Sequence, residues 1–381
     1  MSFGVTVETQ TAAPPAGATT DTGQALVIAP TANTVQTTPA PVICNSINDF
    51  VGAFGARAVA NNAATYDWLD VFFREGGSQA VVAPYYPAAT TPGTYTEALA
   101  LVNDTKWGPG QLVVLGVTPS SELFTAMQSF CEANNTVALR DCNQTDASAS
   151  ALLAVGAFAP DGDQYGATFG SWVNVPPPAG IIGQAARQVP ASAVIAALCN
   201  RVDALGNPNR MAAGNSFPLQ YVTSFVYEPV DSDRATLIAA GVNCFGTIYG
   251  ILQSYGFQTN VTVSAANPYW QFNVSRGEMY LVDRCKKRAQ TYWGLPIDGQ
   301  GRLLAAIKSA LQAECKALYD ADGLYGDTPQ DAYSVSVAPT INPLSAITLG
   351  QVSASASVVW TLGAVAVDVD LVTIPLGSPV A

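Results

Sequence analysis

Three acidic residues of one segment, Asp67, Asp70 and Glu75, have the side-chain type and the close spacing that general acid–base chemistry requires. On a helix, Asp67 and Asp70 would share one face and alternate with the apolar residues of the 68–72 segment. We therefore predict that they form the solvated side of an amphipathic helix and not a catalytic pair.

Two other acidic segments begin like calcium-binding loops. They are Asp161-Gly162-Asp163 and Asp320-Ala321-Asp322-Gly323. Neither segment continues with the further acidic ligands and the terminal glutamate that such a loop needs. We interpret both as acidic turns, and the sequence predicts no bound metal.

The sequence contains no histidine, which excludes Ser-His-Asp and Cys-His catalysis as well as histidine metal sites. It has no Gly-x-x-x-x-Gly-Lys loop, and Gly299-Gln300-Gly301 lacks the third glycine of a dinucleotide fingerprint. Its seven cysteines include no Cys-x-x-Cys pair, so zinc binding and thioredoxin-type chemistry are disfavoured. The sequence therefore predicts no cofactor and no enzyme activity.

The charge balance limits the partners that this chain can have. The 381 residues include 28 acidic and 16 basic side chains, which gives a formal net charge of -12. Binding to nucleic acid or to an anionic membrane surface is therefore disfavoured. The largely apolar residues 235–252 are interpreted as a buried helix followed by buried strands, and not as a membrane span. Because no basic segment precedes an apolar run at the amino terminus, we expect no secretory signal and a chain made in the cytoplasm.

The hydrophobic pattern predicts a mixed α/β (α+β) fold of layered α/β domains, because apolar strands alternate with helical segments. Strands are predicted at residues 42–45, 79–83, 111–116 and 136–140. Helices are predicted at residues 63–75, 119–133, 147–158, 231–240, 275–293 and 299–322.

Changes in composition along the chain predict its domain organisation. Residues 1–40 contain only Glu8 and Asp21 as charged residues and are rich in Thr, Ala and Pro, which predicts an extended arm. Residues 41–223 and 224–349 are predicted to form two domains, the second of which contains the two long helices. Residues 350–381 contain only Asp368 and Asp370 as charged residues and alternate with strand period, which predicts a second extended arm.

Several short motifs occur together in a fixed order. They are residues 42–50 with the sequence VICNSINDF, residues 72–77 with FFREGG, residues 189–192 with VPAS, residues 270–276 with WQFNVSR, and residues 323–326 with GLYG. In this order they resemble the tail sheath family of contractile phages, R-type pyocins and related injection systems. The resemblance extends in pieces from about Pro41 to Ile374, and the absence of a large outer insertion suggests a minimal tail-sheath architecture.

The resemblance implies a structural role without catalytic residues. Subunits of such a sheath form hexameric rings that stack helically around an inner tail tube and contract to drive the tube through a cell envelope. The implied partners are the chain itself, a tail tube protein, and baseplate and tail terminator proteins, within a virion assembled in the host cytoplasm. Residues 41–223 would be the outer domain and residues 224–349 the inner one. The alternatives are another virion protein, either a major capsid or a tail tube subunit, and, less favoured, an enzyme or a binding module.

A basic patch is a candidate contact with the tube, because eight of the sixteen basic residues lie between positions 276 and 316. We predict that Arg276, Arg284, Lys287 and Arg288 face the tube, and three of them can share one helical face. The alternative is a solvated helix face that makes ordinary ion pairs within the chain.

Oxidation outside the cell could link subunits through cysteine, because an odd number of cysteines cannot pair completely within one chain. The candidates for disulfides between subunits are Cys44, Cys131, Cys142, Cys199, Cys244, Cys285 and Cys315. The alternative for each of them is a buried free thiol that acts as a small apolar core residue.

The two arms are predicted to join neighbouring subunits by strand addition. Residues 353–374 would be the carboxyl-terminal donor and part of residues 5–28 the amino-terminal one. Both segments are nearly uncharged and contain too few large apolar side chains to fold alone. The alternative is that each arm folds back on its own subunit.

Overall fold

The computed structural model describes residues 23–32, 35, 39–87, 92–178 and 185–364. The strands of this part of the chain are β1 Ala25–Pro30, β2 Val42–Cys44, β3 Ala80–Tyr85, β4 Gln111–Val114, β5 Val137–Asp141, β6 Gly166–Phe169, β7 Val173–Val175, β8 Arg187–Val189, β9 Ser224–Phe225, β10 Val242–Ile248, β11 Ile251–Tyr255, β12 Tyr333–Ser336 and β13 Ser355–Val358. The α-helices are α1 Ile47–Phe54, α2 Asn62–Arg74, α3 Tyr95–Leu101, α4 Ser121–Asn134, α5 Ala149–Gly156, α6 Ala191–Asp203, α7 Asp231–Ala239, α8 Phe272–Gln290, α9 Arg302–Asp320, α10 Pro329–Ala332 and α11 Leu344–Ile347. The predicted mixed α/β fold is confirmed, and the predicted helices α2, α4, α5, α7, α8 and α9 end within three residues of the expected positions.

An eight-stranded sheet forms the centre of the fold, with the strand order β11-β10-β6-β5-β4-β1-β3-β2. All pairings from β3 to β10 are parallel, and one antiparallel strand closes each edge. Strands of a parallel sheet are covered on both faces, which explains the continuous apolar runs in β1 and β3.

Strand β1 corrects the predicted amino-terminal arm of residues 1–40. It pairs with β3 on one side and β4 on the other, and all six of its residues are buried. The segment surrounding β1 has the composition of an arm, but these six residues have enough apolar surface to occupy the middle of the sheet. Residues 1–22 lie outside the described part of the chain.

Two helical layers cover the sheet. Alternate side chains of β1 point to opposite layers, with Val27 in the core beside α1, α2 and α6 and Leu26 in the core beside α3, α4 and α5. The first core contains aromatic side chains such as Trp68 and Phe72, whose rings stack with a centroid separation of 5.2 Å. The second contains Phe124 of α4, which is completely buried.

The sheet continues across the predicted domain boundary at residue 224, because β10 pairs with β6 and carries β11 at the edge. Residues 235–252 therefore include two strands, as expected, but α7 is not the buried helix that we predicted. Only Leu237 of α7 is buried, since this helix covers the sheet with one side. Among the described residues, no helix combines the length and apolarity that a membrane crossing needs.

A third apolar cluster lies between α8, α9 and the two-stranded sheet of β12 and β13. Helix α8 connects it to the main core, because Phe272 and Met279 belong to the core beside α6 while Leu281 belongs to the third cluster. Trp360 belongs to this cluster and packs against Gly277. The contact leaves no room for a side chain at position 277, because an added Cβ would lie 2.9 Å from the indole ring.

The acidic residues of α2 are buried, which corrects their predicted place on a solvated face. Asp67 and Asp70 retain only 8% and 5% exposure, and Arg187 of β8 makes an ion pair with each of them. Arg57 Nε and Nη2 bond the two oxygens of Asp67 at 2.7 Å, and Arg74 Nε bonds Asp70 Oδ1 at 2.8 Å. These five residues form an ion-pair network that joins α2 to β8, with Asp67, Asp70 and Arg187 buried and the two other arginines partly exposed.

Glu75 and the two glycines after it make the predicted turn between α2 and β3. Glu75 is completely buried and accepts hydrogen bonds from the backbone N–H groups of Gln220 and Tyr221 at 2.6 and 2.7 Å. Gly76 has the left-handed φ of +109° that only glycine adopts readily, as predicted for the end of this helix. A Cβ at Gly77 would lie 2.4 Å from the Phe72 ring.

Candidate assembly interface

Arg276, one of the four predicted tube-facing residues, is completely buried and is therefore not part of the subunit surface. Its guanidinium donates to the carbonyl oxygens of Pro208 and Cys199 at 3.1 Å and to Asp203 Oδ1 at 2.5 Å. The prediction is therefore wrong for Arg276, because position 276 is on the side of α8 that packs against α6. Its side chain fixes α8 to the end of α6.

Arg284, Lys287 and Arg288 are on the outer side of α8 and are partly exposed. Each has an ion-pair partner in its own chain. Arg284 Nε is 2.9 Å from Glu314 Oε2, and Arg288 bonds the other oxygen of Glu314. Lys287 Nζ is 2.6 Å from Asp283 Oδ2. The ion pairs of the alternative interpretation are thus present, while a role of these three residues at the tube remains a prediction.

All seven cysteines are buried free thiols in this structure. The alternative interpretation, a buried free thiol, thus describes Cys44, Cys131, Cys142, Cys199, Cys244, Cys285 and Cys315 in the single subunit, while disulfides between subunits remain a prediction. Burial raises the pKa of Cys44, Cys131, Cys199 and Cys244 to about 12, because the apolar core disfavours the thiolate. These four side chains act as small core residues.

The beginning of the predicted carboxyl-terminal donor, residues 353–374, folds back on its own subunit. Strand β13 pairs antiparallel with β12, and the Gln271 side chain makes two hydrogen bonds with the backbone of Gly363, at 2.7 and 2.8 Å. Asn209 Nδ2 donates to the carbonyl oxygen of Thr361 at 2.8 Å. The alternative interpretation therefore holds for residues 353–364, and residues 365–374 lie outside the described part.

The small sheet of β12 and β13 has two open edges among the residues described here, because neither strand has a second long partner. A two-stranded sheet is only marginally stable, and its unpaired backbone groups can accept another strand. The sheet lies against α9, where Val335 is buried and Val358 is half-buried. It is one of the places in the described structure where a strand from a neighbour could add.

The polar residues of the WQFNVSR motif make buried contacts that the sequence could not assign. Gln271 holds Gly363, Asn273 Nδ2 donates to the Asn209 carbonyl oxygen at 2.9 Å, and Arg276 pairs with Asp203. The only sequence signal was the resemblance itself, because the partners are 64 to 92 residues away. The motif therefore joins α8 to α6 and to the carboxyl-terminal segment.

A second group that sequence reasoning missed is centred on Asp141 at the end of β5. Its two oxygens accept from the N–H and Oγ of Ser192, at 2.8 and 2.6 Å, and Ser192 Oγ accepts from Trp68 Nε1 at 2.9 Å. Pro190 cannot cap α6 with a side-chain oxygen, so the Asp141 carboxylate supplies the acceptor at this helix N-terminus. Burial raises the pKa of Asp141 to about 7 despite the hydrogen bonds from Ser192.

Asp141 should make the stability of the protein depend on pH. Its folded pKa of about 7 is above the unfolded value near 3.9, so its contribution is fully present below pH 4 and is lost as the pH rises to 7. Between pH 5 and pH 8 the loss should be roughly 2–3 kcal/mol. We expect Asp141→Asn, which does not titrate and keeps one acceptor oxygen for Ser192, to reduce the difference between urea unfolding free energies at these two pH values by that amount. An unchanged difference would assign the titration to another group.

A cleft of about 400 Å³ lies beside Asp141, at the carboxyl ends of β4 and β5. This edge of a parallel sheet is a common location for ligand sites, and here apolar side chains such as Phe124 and Met127 line much of it. Both oxygens of Asp141 are already bonded to Ser192, which assigns this carboxylate a structural role. Asp163 of the first predicted acidic turn is buried in an ion pair with Arg140. Within the described ranges, no group of three or more Cys, Asp and Glu side chains is placed to hold a metal ion.

Comparison with known proteins identifies the fold through structure. No family model and no curated protein matches the sequence. A solved structure of the sheath complex of an extracellular contractile injection system, PVC, in the contracted state is 15% identical, with a TM-score of 0.71 and coverage of 98% of each chain. The helical sheath of the anti-feeding prophage in the contracted state is 19% identical, with a TM-score of 0.68 and coverage of 97% of this chain and 98% of that one.

A more distant match is the sheath tail protein from Listeria innocua, at 9% identity and a TM-score of 0.57, covering 85% of this chain and 90% of that one. The matches to the two injection systems extend over nearly the whole length of both chains, so they include the sheet and the α8–α9 unit together. The resemblance inferred from the motifs is thus confirmed at the level of fold. The chain has the fold of the contractile tail sheath proteins.

Proposed function

We propose that this chain is the sheath subunit of a contractile tail. In this role it forms hexameric rings that stack helically around a tail tube and rearrange on contraction, so that the tube is driven through a cell envelope. Its work is mechanical and needs no catalytic residue. Its partners are other copies of the chain, the tail tube protein, and the baseplate and tail terminator proteins of the particle, with assembly in the host cytoplasm.

The observation that carries this proposal is the structural match over 97–98% of the chain to the sheaths of two injection systems. A match of this extent includes the region from α8 to β13 as well as the main sheet. A tail tube or capsid subunit is less compatible with the long antiparallel pair of α8 and α9, which contains 19 residues in each helix.

In the proposed sheath, the unit from α8 to β13 faces the tube and the eight-stranded sheet forms the outer body. We propose the division near Phe272 and not at the predicted boundary of 224, because β10 and β11 pair within the eight-stranded sheet. Residues 1–22 and 365–381 are the proposed linking arms, and the open edges of β12 and β13 are the proposed acceptors. Such links can persist while rigid subunits rotate past one another.

Electron microscopy of the purified, concentrated protein tests the proposal. A sheath subunit should assemble into hollow helical cylinders, alone or around its tube protein. Icosahedral shells would support a capsid role instead. Monomers that remain after addition of the tube protein of the same particle would contradict the sheath role.

The partly exposed cations of α8 provide a test of the tube contact. We expect Lys287→Gln with Arg288→Gln to weaken binding to an acidic tube about fivefold, because each exposed ion pair contributes about 0.5 kcal/mol. Glutamine avoids placing a new negative charge beside Asp283 and Glu314. Cosedimentation with the tube at low salt measures the effect.

The matched control is Lys308→Gln with Lys316→Gln, which removes the same amount of positive charge from α9. If both double variants weaken cosedimentation equally, general charge and not the α8 patch determines binding. Unchanged cosedimentation of the α8 variant would exclude these residues from the tube contact.

A further inference from the structure

Two of the seven cysteines are neighbours across the antiparallel helices α8 and α9. Cys285 and Cys315 both belong to the apolar cluster between these helices and are 2% and 0% exposed. Leu281 of α8 and Leu311 of α9 belong to the same cluster, so both cysteines lie on the sides of the two helices that face each other. The adjacent residues Arg284 and Glu314 form an ion pair with 2.9 Å between Nε and Oε2, so the two cysteines lie at the same level of the helix pair.

The two thiols interact with each other. The interaction with Cys285 lowers the pKa of Cys315, whereas the same interaction and burial raise the pKa of Cys285. In a dithiol pair of this kind one sulfur reacts first as the thiolate and the other resolves the mixed disulfide, and we take Cys315 as the first. Because both are buried, the reaction requires a local opening of the helix pair that admits the reagent.

We propose that Cys285 and Cys315 form a disulfide within one subunit when the protein meets an oxidising small-molecule disulfide. The Cys315 thiolate attacks one sulfur of the reagent and releases the first thiolate. The Cys285 thiolate then attacks the Cys315 sulfur and releases the second. The two cysteine sulfurs lose two electrons, the reagent gains them, and the two thiol protons pass through water to the released thiolates.

This bond would join α8 to α9 without linking subunits. Its effect is local to the unit that contains β12 and β13, since α9 packs directly against β12 and the cluster includes Val335. The inference is independent of the sheath role, because it depends on two side chains of one folded chain. A cross-link across this helix pair constrains the unfolded state, so the oxidised protein should be the more stable form.

Peptide mapping of the full-length folded protein tests the proposal directly. The protein is incubated with oxidised glutathione, acidified, unfolded, alkylated with iodoacetamide and digested. We expect peptides that contain Cys285 and Cys315 to be recovered joined to each other, with the other five cysteines alkylated. Alkylation of both residues, glutathione on either one without the joined peptide, or joining to a different cysteine would overturn the proposal.

Thermal unfolding provides a second readout. The Tm of the oxidised wild type should fall by about 5 °C on addition of dithiothreitol. We expect Cys315→Ala to lose this dependence on the reductant and Cys199→Ala, the matched buried control, to keep it. A shift that persists in Cys315→Ala would overturn the assignment, and the peptide map of the wild type decides the question if either variant fails to fold.

Discussion

An Arg187→Met variant is expected to unfold with a free energy about 3–5 kcal/mol lower than that of the wild type. Arg187 is the shared partner of Asp67 and Asp70, and all three side chains are no more than 11% exposed. Removing Arg187 leaves these two buried carboxylates with fewer positively charged partners than they have in the wild type. Arg57 and Arg74 still pair with one carboxylate each, which places the expected loss towards the lower end of this range. Urea unfolding, monitored by circular dichroism, measures this loss of unfolding free energy.

Arg74→Met is the matched control, because Arg74 pairs with Asp70 from a side chain that is 35% exposed. An i,i+4 pair of this kind contributes less than about 1 kcal/mol. Combining Arg187→Met with Asp67→Asn and Asp70→Asn should recover much of the lost stability, since it removes the buried charges as well. If Arg187→Met and Arg74→Met lower the unfolding free energy equally, the burial of Arg187 does not make its ion pairs more stabilising than the exposed one.

Deletion of residues 365–381 is expected to abolish assembly into cylinders while the subunit still folds. Truncation after Ala364 keeps β13, Trp360 and the hydrogen bonds between Gln271 and Gly363. The third apolar cluster therefore keeps these members, and the unfolding free energy should remain within about 1 kcal/mol of the wild-type value. If the deleted residues are the proposed link between subunits, electron microscopy should find monomers where the full-length chain forms cylinders.

Truncation after Leu349 is the informative contrast. It also removes β13 and the buried Trp360 ring, so it should destabilise the unit around α8 and α9 by about 3–5 kcal/mol, the usual range for loss of a buried tryptophan. If this shorter chain fails to assemble, the loss of the arm therefore cannot be distinguished from the destabilisation of the folded unit. Normal cylinders from the chain that ends at Ala364 would contradict the proposed carboxyl-terminal link.

Local sequence patterns predicted the helices because their signals lie within one segment. Helix α2 is an example, since its apolar side and the Gly76-Gly77 turn can be read from adjacent residues. Strand β1 was missed because its neighbours in sequence resemble an arm, whereas its neighbours in space, β3 and β4, begin 55 and 86 residues later. Burial in the middle of a sheet is a property of the topology and not of six residues.

The positions of charged residues were the least predictable part. Asp67 and Asp70 look solvated on their own helix, and only the arrival of Arg187 from 117–120 residues away makes their burial possible. Arg276 looks like a surface cation, yet its partners come from the end of α6. A local pattern identifies a charged side chain, but its environment depends on which distant element packs against it.

The interior position of β1 determines how this subunit would carry a pulling force. Tension applied to the chain ahead of Gly23 would enter the fold through an interior strand, third from the β2 edge of the sheet, and act along the strand axis. Six residues of β1 are paired with β3 and four with β4, so the ladders on both sides would be loaded together in shear. A terminal strand at the edge of a sheet, pulled sideways, would instead lose its hydrogen bonds one after another. An amino-terminal link attached to β1 would therefore be anchored in one of the mechanically strongest parts of the subunit.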